Sequence, residues 1–414
     1  MIAQLGLLSL LAPGLFLLVY VAVRRPTLFV GLTLLWLGIV EVMPLPGMQF
    51  GSYSVYHSDL LAVVTLGVGF ARFRPSRVPK TASLTAILWA SATAIGVLSW
   101  SLTIGVEHSA VFWRWMLLAA GFFVYTLTSG VRWSWPNISK VLVVPSLILL
   151  IPMLASLAQR GMWRSDIIGS RPLGSDTVLM WLIALFVLLL RPGPWTASRW
   201  AQAVALGAGV LLAEHRSVWV AAAVGGLVVI LVGRSVPVVV RLTAVGWGVP
   251  LVVVVVGLVP QLQRAATDAT TWDWRMVRVF DSLGIARSAS EWLLGSLPGP
   301  SPVTQPGVMM NSAHNLYVSM VEYLGLVGLV GFILLFIAVA RRRIGTVPFG
   351  LAVTCAVAAY SFAYGLPPFV AGLFGILMTY DARTGRPFES ARSPSEDTTP
   401  LAGLVAGHRL ERRT

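Results

Sequence analysis

Residues 311–343 read NSAHNLYVSMVEYLGLVGLVGFILLFIAVARRR. A short polar entry leads into a long apolar run, and the run ends on Arg341, Arg342 and Arg343. About 20 predominantly apolar residues are enough to cross a hydrocarbon core of about 30 Å as a helix. The arginine triplet is the flank expected on the cytoplasmic side of such a helix. This stretch therefore reads as one membrane span running from the outer face to the inner one.

The rest of the chain has the same character. Its 414 residues are 57% hydrophobic and only 11% charged, with a mean hydropathy of +0.81. A soluble domain carries about 25% charged residues, so the bulk of the chain is not built for water. Lipid admits only helices and closed barrels, because every backbone polar group must be satisfied internally. The apolar runs are near-continuous and about 16–20 residues long, which favours helices over alternating barrel strands of about ten residues. The net charge of +14 would indicate nucleic acid in a soluble protein. In a membrane protein the positive-inside rule accounts for it, and no nucleic-acid partner is expected. The single cysteine, Cys355, excludes an intrachain disulfide and lies in an apolar run as a structural thiol. Met1 to Tyr20 lacks a basic leader region and a clear cleavage site, and reads as a retained helix.

Candidate spans fall near 3–23, 28–44, 58–71, 83–103, 111–128, 141–158, 176–190, 200–213, 218–233, 242–259, 315–340, 346–364 and 367–380. The fold class expected is all-α, a polytopic transmembrane bundle of about 12–13 spans. A re-entrant last segment after Gly365-Leu366-Pro367-Pro368 gives the lower count. Alternate connections hold Arg24-Arg25, Arg72 to Lys80, Arg132 and Lys140, Arg191 and Arg199, Arg234 and Arg241, and the Arg341 triplet. They place one face in the cytoplasm and the N-terminus outside. Residues 1–380 form a single transmembrane domain, and 381–414 a polar tail of disordered composition. The opposite face holds short connections and one long loop, 260–314, whose Trp and Leu residues suit short helices lying at the membrane surface.

Polar residues on that outward face carry the functional signal, because a charge costs about 2.5–3.5 kcal/mol at the bilayer centre and much less at a helix end. Glu214-His215-Arg216-Ser217 is the turn between two apolar helices. It serves either as an interfacial cap or as an arginine fork suited to phosphate or pyrophosphate, which a guanidinium binds bidentately. Trp272-Asp273-Trp274-Arg275-Met276-Val277-Arg278 sets Arg275 and Arg278 on one helical face beside two tryptophans. That pattern fits an interface anchor or a sugar-phosphate site. Asn311-Ser312-Ala313-His314-Asn315-Leu316-Tyr317 puts His314 at a helix entry, where the positive helix end disfavours imidazolium and leaves a neutral proton acceptor. A capping role is the alternative for that segment. Arg114, Arg160, Arg164, Arg171, Asp59, Asp166 and Asp176 are weaker candidates, of which Asp59 and Asp176, near outward helix ends, read as packing or salt-bridge residues, and the lone His57 and His108 read as interfacial ones. No His-x-x-x-His or Cys-rich spacing points to a metal, and no phosphate loop points to a nucleotide.

These segments resemble motifs of the bacterial O-antigen ligase and O-antigen polymerase superfamily. AEHRSVWVAAAVGGLVVIL (213–231) is similar to its Ser-Arg-x-x-Trp turn. RMVRVF followed by EWLLGSLPG resembles its arginine helix and Gly-rich stretch, and NSAHNLYVSMVEYLGLVGLVGFILLF resembles its His-Asn segment. The resemblance covers the C-terminal half. The chain departs in reading His-Arg-Ser where many members read Ser-Arg-Gly, in Arg278, and in Leu297 at the middle of the glycine stretch.

What the resemblance implies is a glycosyltransferase of the bacterial cytoplasmic membrane. It would move a glycan from a polyprenyl-diphosphate carrier to an acceptor hydroxyl of a glycan or glycolipid, with membrane lipid as its other partner and no metal, nucleotide or other cofactor. Arg216 and Arg275 would hold the diphosphate, and His314 would take the hydroxyl's proton or position that hydroxyl. Arg278, Trp272, Trp274, Asn315, Tyr317 and His215 would line the site. A repeat-unit polymerase remains the alternative within the superfamily, and a small-solute or ion transporter the alternative outside it.

Overall fold

Each apolar run can satisfy its own backbone in lipid only as a helix, and the runs fold accordingly. The computed structural model describes residues 2–42, 48–50, 53–74, 78–102, 107–160, 174–232, 270–296, 303–305, 308–310 and 315–380. The described residues hold α1 (Ile2–Arg24), α2 (Pro26–Val42), α3 (His57–Arg72), α4 (Lys80–Leu102), α5 (Glu107–Thr128), α6 (Trp135–Arg160) and α7 (Ser175–Leu190). They continue with α8 (Ala197–Leu212), α9 (Arg216–Val232), α10 (Thr270–Gly284), α11 (Ala289–Leu294), α12 (Leu316–Ala340), α13 (Phe349–Tyr360) and α14 (Pro368–Met378). Two antiparallel hairpins of three-residue strands, β1 (Met48–Phe50) with β2 (Tyr53–Val55) and β3 (Val303–Gln305) with β4 (Val308–Met310), complete them. The all-α expectation did not include these hairpins, which are too short to leave an alternating pattern in the sequence.

The surface of the bundle is apolar. Along α4, Ala82, Ala86, Trp89, Thr93 and Gly96 face inward, at helical spacing, while Leu84, Ile87, Leu88, Ile95 and Leu98 are exposed. Phe16, Val63, Ile151, Val204 and Leu231 are likewise more than half exposed. A soluble protein seldom leaves so much contiguous apolar surface in water. Lys80–Ser99, Trp135–Ala155 and Leu316–Ala340 are each long and apolar enough to cross a membrane. These are the features of a membrane protein.

Contacts between helix ends sort the charges onto two sides. At one end, the Arg72 guanidinium donates to Val23 O at 2.5 Å and the Tyr125 hydroxyl to Ala22 O at 2.7 Å. Arg199 donates through Nε to Leu188 O at 2.8 Å, closing the end of α7, and Arg342 donates to Tyr380 O. The arginines of the predicted cytoplasmic loops thus bond the open carbonyls of neighbouring helix ends, which is where a cation complements the helix dipole. The Trp135 ring packs on Phe349 at 5.5 Å, joining α6 and α13 at this same basic end.

Two contacts show that α12 is bent. Near its end it lies against Gly350, whose hypothetical Cβ would sit 2.1 Å from Val339 O. At its start, the Leu316 N–H donates to Ser361 O at 2.9 Å. The partners lie at the two ends of α13, a helix of 12 residues that rises only about 18 Å, whereas a straight helix the length of α12 would rise about 38 Å. The chain reconciles the two lengths at Gly325, where φ is 66° and ψ −171°. That backbone state is essentially restricted to glycine. The expected span 315–340 is therefore a broken helix, contrary to the uninterrupted run its hydropathy predicts.

Other boundaries differ as well. α6 starts at Trp135, before the predicted 141. α14 has 11 residues, all buried; at about 16 Å it is too short to cross a hydrocarbon core of about 30 Å alone. Cys355 is half-buried in α13. The predicted span 242–259 and the tail 381–414 lie outside the described residues.

Candidate functional site

The end of the bundle opposite the basic one gathers the remaining charged groups. There, α3, α5 and the segment before α3 meet: Asp59 lies 3.5 Å from Arg114 and accepts the Tyr56 N–H at 2.8 Å, while Arg114 stands 4.8 Å over the Tyr56 ring. Asp59 thereby acts as a helix N-terminal cap and ion-pair partner, as its position at the start of α3 predicts.

A second group lies deeper, between α7, α10, α12 and α13. The Tyr360 hydroxyl donates to Asp176 Oδ1 at 2.5 Å and lies 2.7 Å from the Ser175 hydroxyl. Tyr360 stacks on Tyr364 with ring centroids 5.1 Å apart and planes 17° from parallel. The Arg275 guanidinium stands over the other partner of that stack, 4.8 Å from the Tyr364 centroid. Its Nε is buried and has no hydrogen-bond acceptor among the described residues. Arg278, one helical turn on, is 2% exposed and thus fully buried. Asp176 and Thr177 also line a small, mainly apolar cleft with Gly38, Trp115, Pro367 and Pro368.

Arg216 belongs to this end. α9 packs beside α7 and α13, with Gly225 close enough that a Cβ would meet Phe186 and Ala356, each at 2.7 Å. Nine residues back along α9 to Arg216 and ten back along α7 to Asp176 are rises of about 14 and 15 Å, which bring the two to one level of the bundle. The turn before α9 is tight: Glu214 has a φ of 54° and is fully buried, and His215 is 5% exposed. A non-glycine residue held in the left-handed region is uncommon and concentrates at functional sites. Arg216 itself is half-buried at the first position of α9.

α12 enters the same region. Asn315 caps it, its Oδ1 accepting from the N–H groups of Tyr317 at 3.0 Å and Val318 at 3.1 Å, while its Nδ2 donates to Phe362 O at 3.1 Å. The Tyr317 hydroxyl donates to Ala358 O at 2.9 Å. The polar groups of both residues are spent inside the protein, so they position the start of α12. His314, immediately before Asn315 in sequence, lies outside the described residues, as do the side chains of Trp272 and Trp274.

The surface helices α10 and α11 are fastened to α12 at its break. Arg287 donates to Ser282 O at 2.8 Å, stands 5.2 Å over Trp292, and lies 3.7 Å from Glu322. Ser282 also hydrogen-bonds the Glu322 carboxyl. The Ser296 N–H donates to Glu322 O at 2.8 Å. Gly295 and Gly325 face one another so closely that a Cβ on Gly325 would sit 2.2 Å from Leu293 O. Hydropathy and charge counting pointed to Arg216, Arg275 and Arg278 but passed over Arg287, Tyr360 and Tyr364. The spacing of the two tyrosines, one turn apart before Gly365-Leu366-Pro367-Pro368, was the available signal.

No protein-family model and no curated protein matches the chain.

Proposed function

We propose that the chain is a multi-pass glycosyltransferase of O-antigen ligase type. It transfers a glycan from a polyprenyl diphosphate to an acceptor hydroxyl at the outer face of the cytoplasmic membrane. The observation that carries this reading is the gathering of Arg216, Arg275 and Arg278 at the end of the bundle opposite the basic loops, where positive-inside topology alone calls for few cations. Buried and half-buried guanidinium groups at a membrane surface suit an anionic headgroup. The site is recessed by length: α13 rises about 18 Å from its contact with Trp135, and α6, from the same level, about 39 Å. That recess suits a ligand whose charged head sits at the interface and whose tail stays in lipid.

In this mechanism the acceptor oxygen attacks the anomeric carbon of the carrier-linked sugar and its proton passes to His314. The bond from that carbon to the diphosphate oxygen breaks, and the diphosphate leaves with the electron pair. Arg216 and Arg275 stabilise the charge that develops on it, the kind of stabilisation whose removal costs about 10²–10³ in rate. The activated ester supplies the free energy. A ligase and a repeat-unit polymerase share this step and differ in acceptor.

The test is transfer from a labelled polyprenyl-diphosphate glycan by the purified chain in lipid, comparing wild type with Arg216→Ala, Arg275→Ala and His314→Ala. Each variant is expected to lose transfer; unchanged transfer in all of them refutes the reading. One defined product marks a ligase and a ladder a polymerase. The break in α12 beside buried Glu322 favours a second reading, since transporters place discontinuous helices at their substrate sites. Solute uptake into sealed proteoliposomes that requires Glu322, with no glycan transfer, would establish it.

A further inference from the structure

Arg275 is oriented by an aromatic face. Among the described residues no carboxylate pairs with it, and its buried Nε meets no acceptor. A carboxylate beside the guanidinium would neutralise it and compete with an incoming anion. A ring holds the cation while leaving its charge and its N–H edge available. The ring in question, Tyr364, is itself held: it stacks on Tyr360, Tyr360 is fully buried, and the Tyr360 hydroxyl is tied to Asp176 at 2.5 Å and to Ser175 at 2.7 Å.

We propose that Asp176 is a positioning residue, which through Tyr360 and Tyr364 sets the Arg275 guanidinium for a diphosphate. The acid is separated from the cation by two stacked rings, so it orients without neutralising. This inference rests on the reading of Arg275 as a diphosphate ligand. Asp176 itself touches neither donor nor acceptor in this scheme.

The experiment measures binding of undecaprenyl diphosphate to the full-length chain in detergent, alongside kcat and KM for transfer. Tyr364→Leu weakens binding about two- to thirtyfold, the span of a cation–π contact of about 0.5–2 kcal/mol. Tyr364→Phe, which keeps the ring, restores binding to within about twofold of wild type. Asp176→Ala and Tyr360→Phe, which remove the acceptor and the donor of the same link, raise the donor KM more than they lower kcat. Where one of the two fails to fold, the other still reads the link. In Arg275→Ala, a further Tyr364→Leu change costs nothing more, because the ring acts only through that arginine.

Wild-type binding by Tyr364→Leu and Tyr360→Phe, with Arg275→Ala impaired, overturns the positioning role and leaves the proposed function standing. Losses that multiply in the double variant also overturn it. Arg275→Ala that binds and transfers like wild type removes the diphosphate reading and, with it, this inference.

Discussion

Arg275 illustrates how much chemistry a single position can hold. Its guanidinium stands over Tyr364 with Nε buried, so a lysine there keeps the charge and loses the planar stack and the two-pronged donor edge. Arg275→Lys is expected to retain only a fraction of wild-type transfer, between the wild type and the loss of about 10²–10³ expected of Arg275→Ala. Initial rates with a labelled donor separate the three, and a lysine variant as active as wild type would show that charge alone suffices. Glu214 is the strained counterpart. Its φ of 54° costs about 1–2 kcal/mol in a non-glycine residue, and it holds the turn that delivers Arg216 to the same end of the bundle.

At the scale of elements, the decisive joint is between α11 and α12. Gly295 and Gly325 both have positive φ, 82° and 66°, and a Cβ on either would collide with backbone of the other segment, that of Tyr323 and Leu324 for Gly295 and that of Leu293 and Gly295 for Gly325. Gly325→Ala is expected to destabilise the protein by about 3 kcal/mol, since strain at φ and a collision with backbone add. Thermal unfolding in detergent reads that loss, and an unchanged midpoint would mean that α12 is not broken there. The other end of α11 is closed by a capping box. The Ser288 N–H donates to Glu291 Oε2 at 2.8 Å and the Ser288 hydroxyl does so at 2.9 Å, while the Glu291 N–H returns to Ser288 Oγ at 3.2 Å. The backbone bond from Ser288, reinforced by its hydroxyl, holds the Glu291 carboxyl below its usual range. A depressed carboxylate stabilises the fold above its ordinary titration range and loses that contribution as the pH falls through its lowered value. Protection of the α11 amides, relative to the intrinsic exchange rate at each pH, is therefore expected to fall as the pH drops through the lowered Glu291 value in wild type. In Glu291→Gln the acid-dependent component disappears.

The whole molecule is a sorting of charge by end. Arg72, Arg199 and Arg342 close helix ends on one side, and Asp176, Arg216 and Arg275 lie on the other. Single cysteines in a Cys355→Ala background test that arrangement. Ser290→Cys, exposed on α11, is expected to react with a membrane-impermeant maleimide in intact spheroplasts. Arg191→Cys, exposed after α7, is expected to react only after permeabilisation. Labelling of both from one side would contradict a membrane separating the two ends, and the reversed pattern would place the candidate site in the cytoplasm.

Sequence alone determined the solvent, the class of secondary structure and the charge polarity. Hydropathy, helix length and loop arginines are local quantities, and lipid gives the backbone one economical way to satisfy itself. Arg216, Arg275 and Arg278 stood out because each departs from that polarity. Tertiary structure alone decided what those arginines lie against. The α12 run reads as one uninterrupted helix, and its break at Gly325 follows from both its ends contacting the much shorter α13. The line from Asp176 through Tyr360 and Tyr364 to Arg275 joins residues from three parts of the chain. A partner so distant in sequence leaves no period or spacing to read, because its energy exists only once the helices have packed.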